Sequence, residues 1–148
     1  GSGNSSLENA MNELSERYPE QIAFSIGYDT RIAHIIEAGT DFFVMPSRFE
    51  PCGLNQLYSL RYGSIPIVRA TGGLENSIID FRLDERIATG IKFVDPSPRA
   101  LSEVLDLALT LYRDKNLLNK VRDNGMRADF SWDRTIAEYT KLYKSINH

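Results

Sequence analysis

Apolar positions along the chain alternate between two periods. Leu7, Ala10, Met11, Leu14 and Tyr18 fall at helical spacing, Ser5-Ser6-Leu7-Glu8 has the spacing of a capping box, and Pro19 closes the segment. Ile22, Phe24 and Ile26 then alternate with small residues, which predicts a strand ending in a loop at Gly27-Tyr28. A second helix is predicted from a cap at Asp29 or Thr30 to Gly39, with Ile32, Ile35 and Ile36 turned inward. Phe42–Met45 is a continuous apolar run, as in a parallel strand covered on both faces.

The alternation continues. After a loop over 46–53, Leu54–Tyr62 reads as a helix ended by Gly63 at the position after its last turn. Ile65–Val68 reads as a strand, Ala70–Gly73 as a glycine-containing loop, and residues 74–80 as a short helix. The charged stretch Phe81–Thr89 is predicted to be an excursion loop before a last strand at Ile91–Val94. Ser97 caps and Pro98 opens a helix whose stripe is Leu101, Val104, Leu105, Ala108, Leu111 and Tyr112. A second helix carries Leu117, Leu118 and Val121. A third, from Ser131-Trp132, carries Ile136, Tyr139, Leu142, Tyr143 and Ile146.

Helix and strand in alternation, followed by helices, predict an α/β fold: a Rossmann-like parallel sheet with helices on both faces and right-handed crossovers. Such a domain normally opens on a strand. Here "GSGN" leads directly into a helix cap, and three or four strands are few for such a sheet. Both features predict a chain that begins partway through a larger domain, with Gly1-Ser2-Gly3 either native or a vector remnant.

Composition narrows the class. At 148 residues one domain is expected, and 42% apolar with 25% charged residues is ordinary for a globular protein. The net charge is −3 and the basic residues are scattered, which argues against nucleic acid as a partner. No apolar run approaches the length of a membrane span, and no signal-peptide pattern opens the chain. A single cysteine, Cys52, excludes an intrachain disulfide and fits a reducing, cytoplasmic compartment. With His34 and His148 as the only histidines there is no zinc-type ligand set, and His34 reads as a structural or surface residue.

In open α/β sheets, ligands bind at the carboxyl ends of the strands. Three loops lie there: Gly27–Asp29, Pro46–Gly53 and Ala70–Gly73. Gly53 precedes the first turn Leu54-Asn55-Gln56, where free N–H groups and the helix dipole favour an anion. Glu50 suits hydroxyl groups such as those of a sugar; equally, it suits solvent or an ion pair with Arg48. Thr71-Gly72-Gly73 can form an anion-binding nest or be only a turn. Tyr28 can stack on a flat base or simply pack. Cys52 reads as a buried or half-buried thiol.

Together these parts are more specific. "DFFVMPSRFEPCGLNQLYSLRYGSIPIVRATGGL" strongly resembles the bacterial glycogen synthase and plant starch synthase family. Ile26-Gly27-Tyr28, "ATGIKFVD" and "DFSWDRTIAEYTKLY" extend the resemblance over nearly the whole chain, and even "GSGN" is similar to a strand end of that family. The resemblance implies the GT-B architecture of two Rossmann-like domains about a cleft. Residues 1–148 would form part of the C-terminal, nucleotide-sugar-binding domain, without its upstream strands and without the N-terminal domain. The last helix would reach back to that domain. The compartment implied is the cytoplasm, or the plastid in a plant.

The reaction implied is retaining transfer of glucose from ADP-glucose or UDP-glucose to the non-reducing end of an α-1,4-glucan, with no metal and no cofactor. By the same resemblance, Glu50 is the catalytic-site glutamate that bonds and orients the donor glucose. Cys52, Gly53, Leu54 and Asn55, with Thr71, Gly72 and Gly73, hold the donor sugar and the phosphate, and Tyr28 stacks on the base. Tyr58 stands where many related glycosyltransferases have a ribose-binding glutamate, a departure that glycogen and starch synthases share. The family's pyrophosphate-clamping Arg and Lys match nothing in this chain, nor do its N-terminal glycine loop and cleft histidine. This polypeptide alone is therefore expected to lack transferase activity. The alternatives are a glycosyltransferase with a different sugar donor, a non-catalytic nucleotide- or glycan-binding module, and a phospho-acceptor domain. Asp41 lies at the wrong end of its strand for the last.

Overall fold

The computed structural model describes residues 3–146 and divides into two compact parts, one through residue 36 and one from residue 37 onward. Gly1 and Ser2 of the opening Gly-Ser-Gly lie outside the described residues.

The first part contains α1 (Ser5–Arg17) and most of α2 (Thr30–Gly39). The α1 cap is one residue earlier than the capping-box spacing predicts. Asn4 accepts from the N–H groups of Ser6 and Leu7, and the Glu8 carboxylate takes the Gly3 N–H at 2.7 Å. Leu7, Met11, Leu14 and Tyr18 are all exposed, and α1 has no buried residue. The strand predicted over Ile22–Ile26 does not form. A strand exists through ladder bonds to a neighbour, and these residues pair with no strand among the described residues. Their alternation survives only as half-burial of Ile22 and Phe24.

Asp29 caps α2, accepting the Ile32 N–H at 3.0 Å. The inward face predicted for α2 is corrected too. Ile32, Ile35 and Ile36 are exposed, whereas Ala33 and His34 are half-buried and Glu37 is buried. A helix offers several stripes at equal spacing, and here burial follows 33, 34 and 37.

The second part is a three-stranded parallel sheet of β1 (Phe42–Met45), β2 (Ile65–Arg69) and β3 (Ile91–Phe93), with β2 in the middle. Phe42 pairs with Ile65, and Ile67 with Ile91. Successive β2 side chains point to opposite faces, so the strand feeds two cores. Ile65 and Ile67 join Ile91, Phe93, Val104, Ala108, Leu111, Leu118 and Val121 under α5 (Pro98–Arg113) and α6 (Lys115–Arg127). Val68 joins Met45, Leu60, Leu74 and Ile78 on the other face, under α3 (Asn55–Tyr62) and α4 (Gly72–Ser77). Burying each of the valine, leucine, isoleucine, methionine and phenylalanine side chains contributes about 1.5–3 kcal/mol.

Full coverage holds for β2 but not for β1, an edge strand whose Val44 is exposed. Leu105 and Tyr112 of the predicted α5 stripe are exposed as well; Lys115 sits over the Tyr112 ring, 3.4 Å from its centre. In α7 (Trp132–Ile146) no residue is buried, and Ile136, Tyr139, Leu142, Tyr143 and Ile146 are exposed. No helix of the described residues is long and apolar enough to cross a membrane.

Between α4 and β3 the chain makes the predicted excursion over residues 81–89. Its stem is an isolated bridge between Asp80 and Gly90. Asp80 is buried, and its carboxylate accepts from Arg82 N, Arg82 Nε, Arg82 Nη2 and Lys92 N at 2.6–2.8 Å. Burial alone would raise its pKa, but the Arg82 side chain and the two backbone N–H groups outweigh that and hold it below 3.8.

Candidate functional site

Two loops leave the carboxyl edge of the sheet and lie against each other. The first, residues 46–54, joins β1 to α3; the second, Ala70-Thr71, joins β2 to α4. The predicted helix at 74–80 in fact starts at Gly72, so Gly72 and Gly73 form the first turn of α4 and Thr71 is its cap. The Thr71 side chain makes no capping bond.

The glycines explain how the loops approach. A Cβ on Gly72 would lie 2.1 Å from the Glu50 carbonyl oxygen, and one on Gly73 would lie 2.0 Å from that of Cys52. No side chain fits there. Gly72 also has φ +48°, a left-handed value. The Gly73 N–H donates to the Glu50 carbonyl at 3.1 Å. Of the two readings of Thr71-Gly72-Gly73, an anion-binding nest would need the Gly73 N–H free, and here it holds the neighbouring loop.

The start of α3 is more open. Its ladder begins with Leu57 and Tyr58 donating to the Leu54 carbonyl. The N–H groups of Gly53, Leu54, Asn55 and Gln56 have no protein acceptor among the described residues. They lie at the positive end of the helix dipole, and Leu54 caps without a side-chain bond. Gly53 turns the chain into the helix with φ +70°. The arrangement offers backbone donors to an anion or to hydroxyl oxygens.

Glu50 is half-buried and makes no ion pair with Arg48 among the described residues. Cys52 is exposed, contrary to the buried or half-buried thiol expected. Its place between Pro51 and the turn at Gly53 puts it on the rim, while its carbonyl faces inward to Gln56. Leu54 and Asn55 are exposed beside it. The structure thus brings Glu50, Cys52, Gly53, Leu54 and Asn55 together with Thr71, Gly72 and Gly73. Tyr28 belongs to the first compact part, where it is exposed directly after Gly27, whose φ is +103°. Tyr58 is exposed on α3. Asp41 precedes β1 at the amino end of the sheet, where it pairs with Arg122.

Two residues of this edge are not legible as site residues in the sequence. Arg69, at the end of β2, donates from Nε to the Ser47 carbonyl at 2.6 Å, from Nη2 to the Arg48 carbonyl, and from Nη1 to the Val94 carbonyl at 3.5 Å. Gln56 is buried, and its Nε2 donates to the carbonyls of Cys52 and Gly53 and to Ser77 Oγ. The only local signal was an arginine ending an apolar strand and a glutamine in a helix first turn.

A glycogen synthase from Thioalkalivibrio sulfidiphilus is 50% identical over 99% of this chain, and one from Rhodospirillum rubrum is 51% identical over 99%. The chain is homologous to glycogen synthases. It spans about 31% and 30% of the length of these two relatives. The catalytic domain of starch synthase IV from Arabidopsis thaliana, solved bound to ADP and acarbose, superposes with a TM-score of 0.82 at 30% identity, over 96% of this chain and 30% of that one. The fold matches the GT-B glycosyltransferase domain of that synthase. Sucrose-phosphate synthase from Thermosynechococcus elongatus, at 21% identity and a TM-score of 0.66 over 95% of this chain, shows the same fold. No protein-family model matches the chain.

Proposed function

We propose that this chain is the donor-binding part of a retaining glucosyltransferase of the glycogen and starch synthase type. In this reading residues 1–148 form part of the C-terminal domain, and a separate N-terminal domain supplies the rest of the cleft. The reaction is transfer of glucose from ADP-glucose or UDP-glucose to the non-reducing end of an α-1,4-glucan. The observation that carries the reading is the meeting of the Glu50 loop with Gly72-Gly73 beside four unpaired N–H groups at the carboxyl edge of a parallel sheet. The homology to glycogen synthases and the starch synthase solved with ADP support it.

In this reading Glu50 accepts hydrogen bonds from the donor glucose and orients it for transfer. The N–H groups of residues 53–56 face the distal phosphate and the sugar, and the α3 dipole offsets part of the leaving diphosphate charge. Thr71 and the Gly72 backbone approach the same groups, and Tyr28 stacks on the base.

Titration of the isotope-labelled chain with ADP-glucose, ADP, UDP and AMP, followed by amide NMR, tests this. Shifts at Gly53–Gln56, Thr71 and Gly72 are expected with ADP-glucose, those at Tyr28 with any of the nucleotides, and the strongest response from ADP-glucose, followed by ADP. No response at millimolar ligand in these residues would sink the proposal.

A further inference from the structure

We infer that Arg69 and Gln56 are positioning residues that set the shape of the Glu50 loop; the inference rests on the donor-site reading above. The loop from β1 to α3 is nine residues long, 46–54, against the usual two to about six for such connections. Left to itself it would be mobile. Instead its carbonyls are held one after another by donors from outside it. Arg69 holds those of Ser47 and Arg48, Gly73 N–H holds that of Glu50, and Gln56 Nε2 holds those of Cys52 and Gly53. Gln56 also reaches Ser77 Oγ, which in turn donates to the Gly73 carbonyl at 2.7 Å. The Glu50 loop and the α4 helix are thereby joined through one buried amide.

Glu50 is the middle of this run, with its own carbonyl fixed and held carbonyls on either side, so the point and direction from which its side chain leaves the backbone follow from these bonds. The residue types suit the task. A guanidinium has several donors in a rigid fork and can serve three carbonyls at once. Arg69 makes no ion pair with a carboxylate among the described residues; its hydrogen bonds go to main-chain carbonyls, those of Ser47 and Arg48 in the loop and that of Val94 after β3. The two hydrogens of an amide nitrogen are shared here among the Cys52 and Gly53 carbonyls and Ser77 Oγ, and Gln56 is 1% exposed, out of reach of competing solvent. A group placed this way matters to chemistry, because a misplacement of about 1 Å costs about a hundredfold in rate.

The Gly73 amide hydrogen is a built-in reporter, since its acceptor is the Glu50 carbonyl. In the 148-residue chain, Arg69→Ala is expected to speed Gly73 hydrogen exchange about tenfold while the β2 amides keep theirs. The preference for ADP-glucose over ADP, read as the ratio of the two dissociation constants, is expected to fall to about one, while ADP itself binds as before. Arg69→Lys, which keeps the charge but not the fork, is expected to recover only part of both readouts. Gln56→Glu, equal in shape but without the donor, tests the other flank with the same two readouts; if Arg69→Ala does not fold, Arg69→Lys and Gln56→Glu carry the test. Wild-type exchange at Gly73 in these variants overturns the inference, as does faster exchange with the sugar preference intact. A wild-type chain that binds neither ligand, with Gly73 exchange still dependent on Arg69, overturns the donor-site reading and reduces the two residues to structural braces.

Discussion

The loop over 46–54 and the excursion over 81–89 both leave the sheet, but the balance of local and distant bonds that holds them differs. The first is tied by partners distant in sequence: Arg69 lies 21 or 22 residues from the carbonyls it holds, and Gly73 takes the Glu50 carbonyl. The second is shaped by neighbours two residues apart, Arg82 on Asp80 and Arg86 on Asp84, and is tied from a distance at its end, where Asn124 of α6 donates to the Ala88 carbonyl. Local pairs preserve a turn; distant ones make its shape depend on the sheet. The lesson is that a loop meant to present a carboxylate to a ligand is fixed by the tertiary frame. A loop that only returns the chain is shaped largely by pairs within itself and is pinned to the frame near its end, where Asn124 holds the Ala88 carbonyl.

The sharpest way to break the comparison is Gly73→Ala. The added Cβ collides with the Cys52 carbonyl, and backbone cannot yield as a side-chain tip can. A loss of about 3 kcal/mol in urea-unfolding stability is expected, along with loss of the response to ADP-glucose. An alanine variant of wild-type stability and binding would show that the two loops are not packed as described.

Next comes Asp80→Asn, where the excursion meets the sheet. Asp80 is buried and accepts four bonds, so about 2 kcal/mol is expected to be lost at neutral pH. The pH dependence has a definite sign. The folded-state pKa is held below 3.8, so the folded chain binds fewer protons than the unfolded one in this range. The stabilisation is complete above 3.8 and is lost as pH falls through the lower folded value. Urea midpoints measured across this acid window should fall in the wild type and fall less in the variant.

The smallest effect is expected at Asp84. Its carboxylate sits at a pKa of about 2, chiefly through the Arg86 side chain, but Arg86 is exposed and Asp84 is only half-buried. Solvent and salt screen such a pair. Asp84→Asn should leave the unfolding midpoint and the ligand response unchanged. A clear shift in either would mean that the excursion is coupled to the rest of the sheet edge.

Much of the fold was legible in the chain because periodicity reports burial directly. The runs at Phe42–Met45 and Ile65–Val68, the Gly63 stop and the Ser97-Pro98 start all became element boundaries within a residue or so. Two readings failed where the pattern was real but lacked a partner. Ile22, Phe24 and Ile26 alternate without a neighbouring strand, and the isoleucines of α2 lie on a face that nothing among the described residues covers. Of the candidate site, Glu50 and the glycines were visible as residue types at the end of a strand. Cys52 was misjudged because burial of one loop residue depends on its neighbours in space.

What the sequence determined by itself is the order of helix and strand from Phe42 onward, the parallel sheet and the two loops at its carboxyl edge. These follow from spacing, caps and breakers that act over a few residues. Only the tertiary structure decided that Gly72 and Gly73 serve close approach to the Glu50 loop, and that the Gly73 N–H is taken. It also decided that Arg69 and Gln56 hold that loop's carbonyls. Those facts rest on contacts between residues up to about twenty positions apart. Their energy comes from hydrogen bonds that exist only once the sheet has put both ends in place.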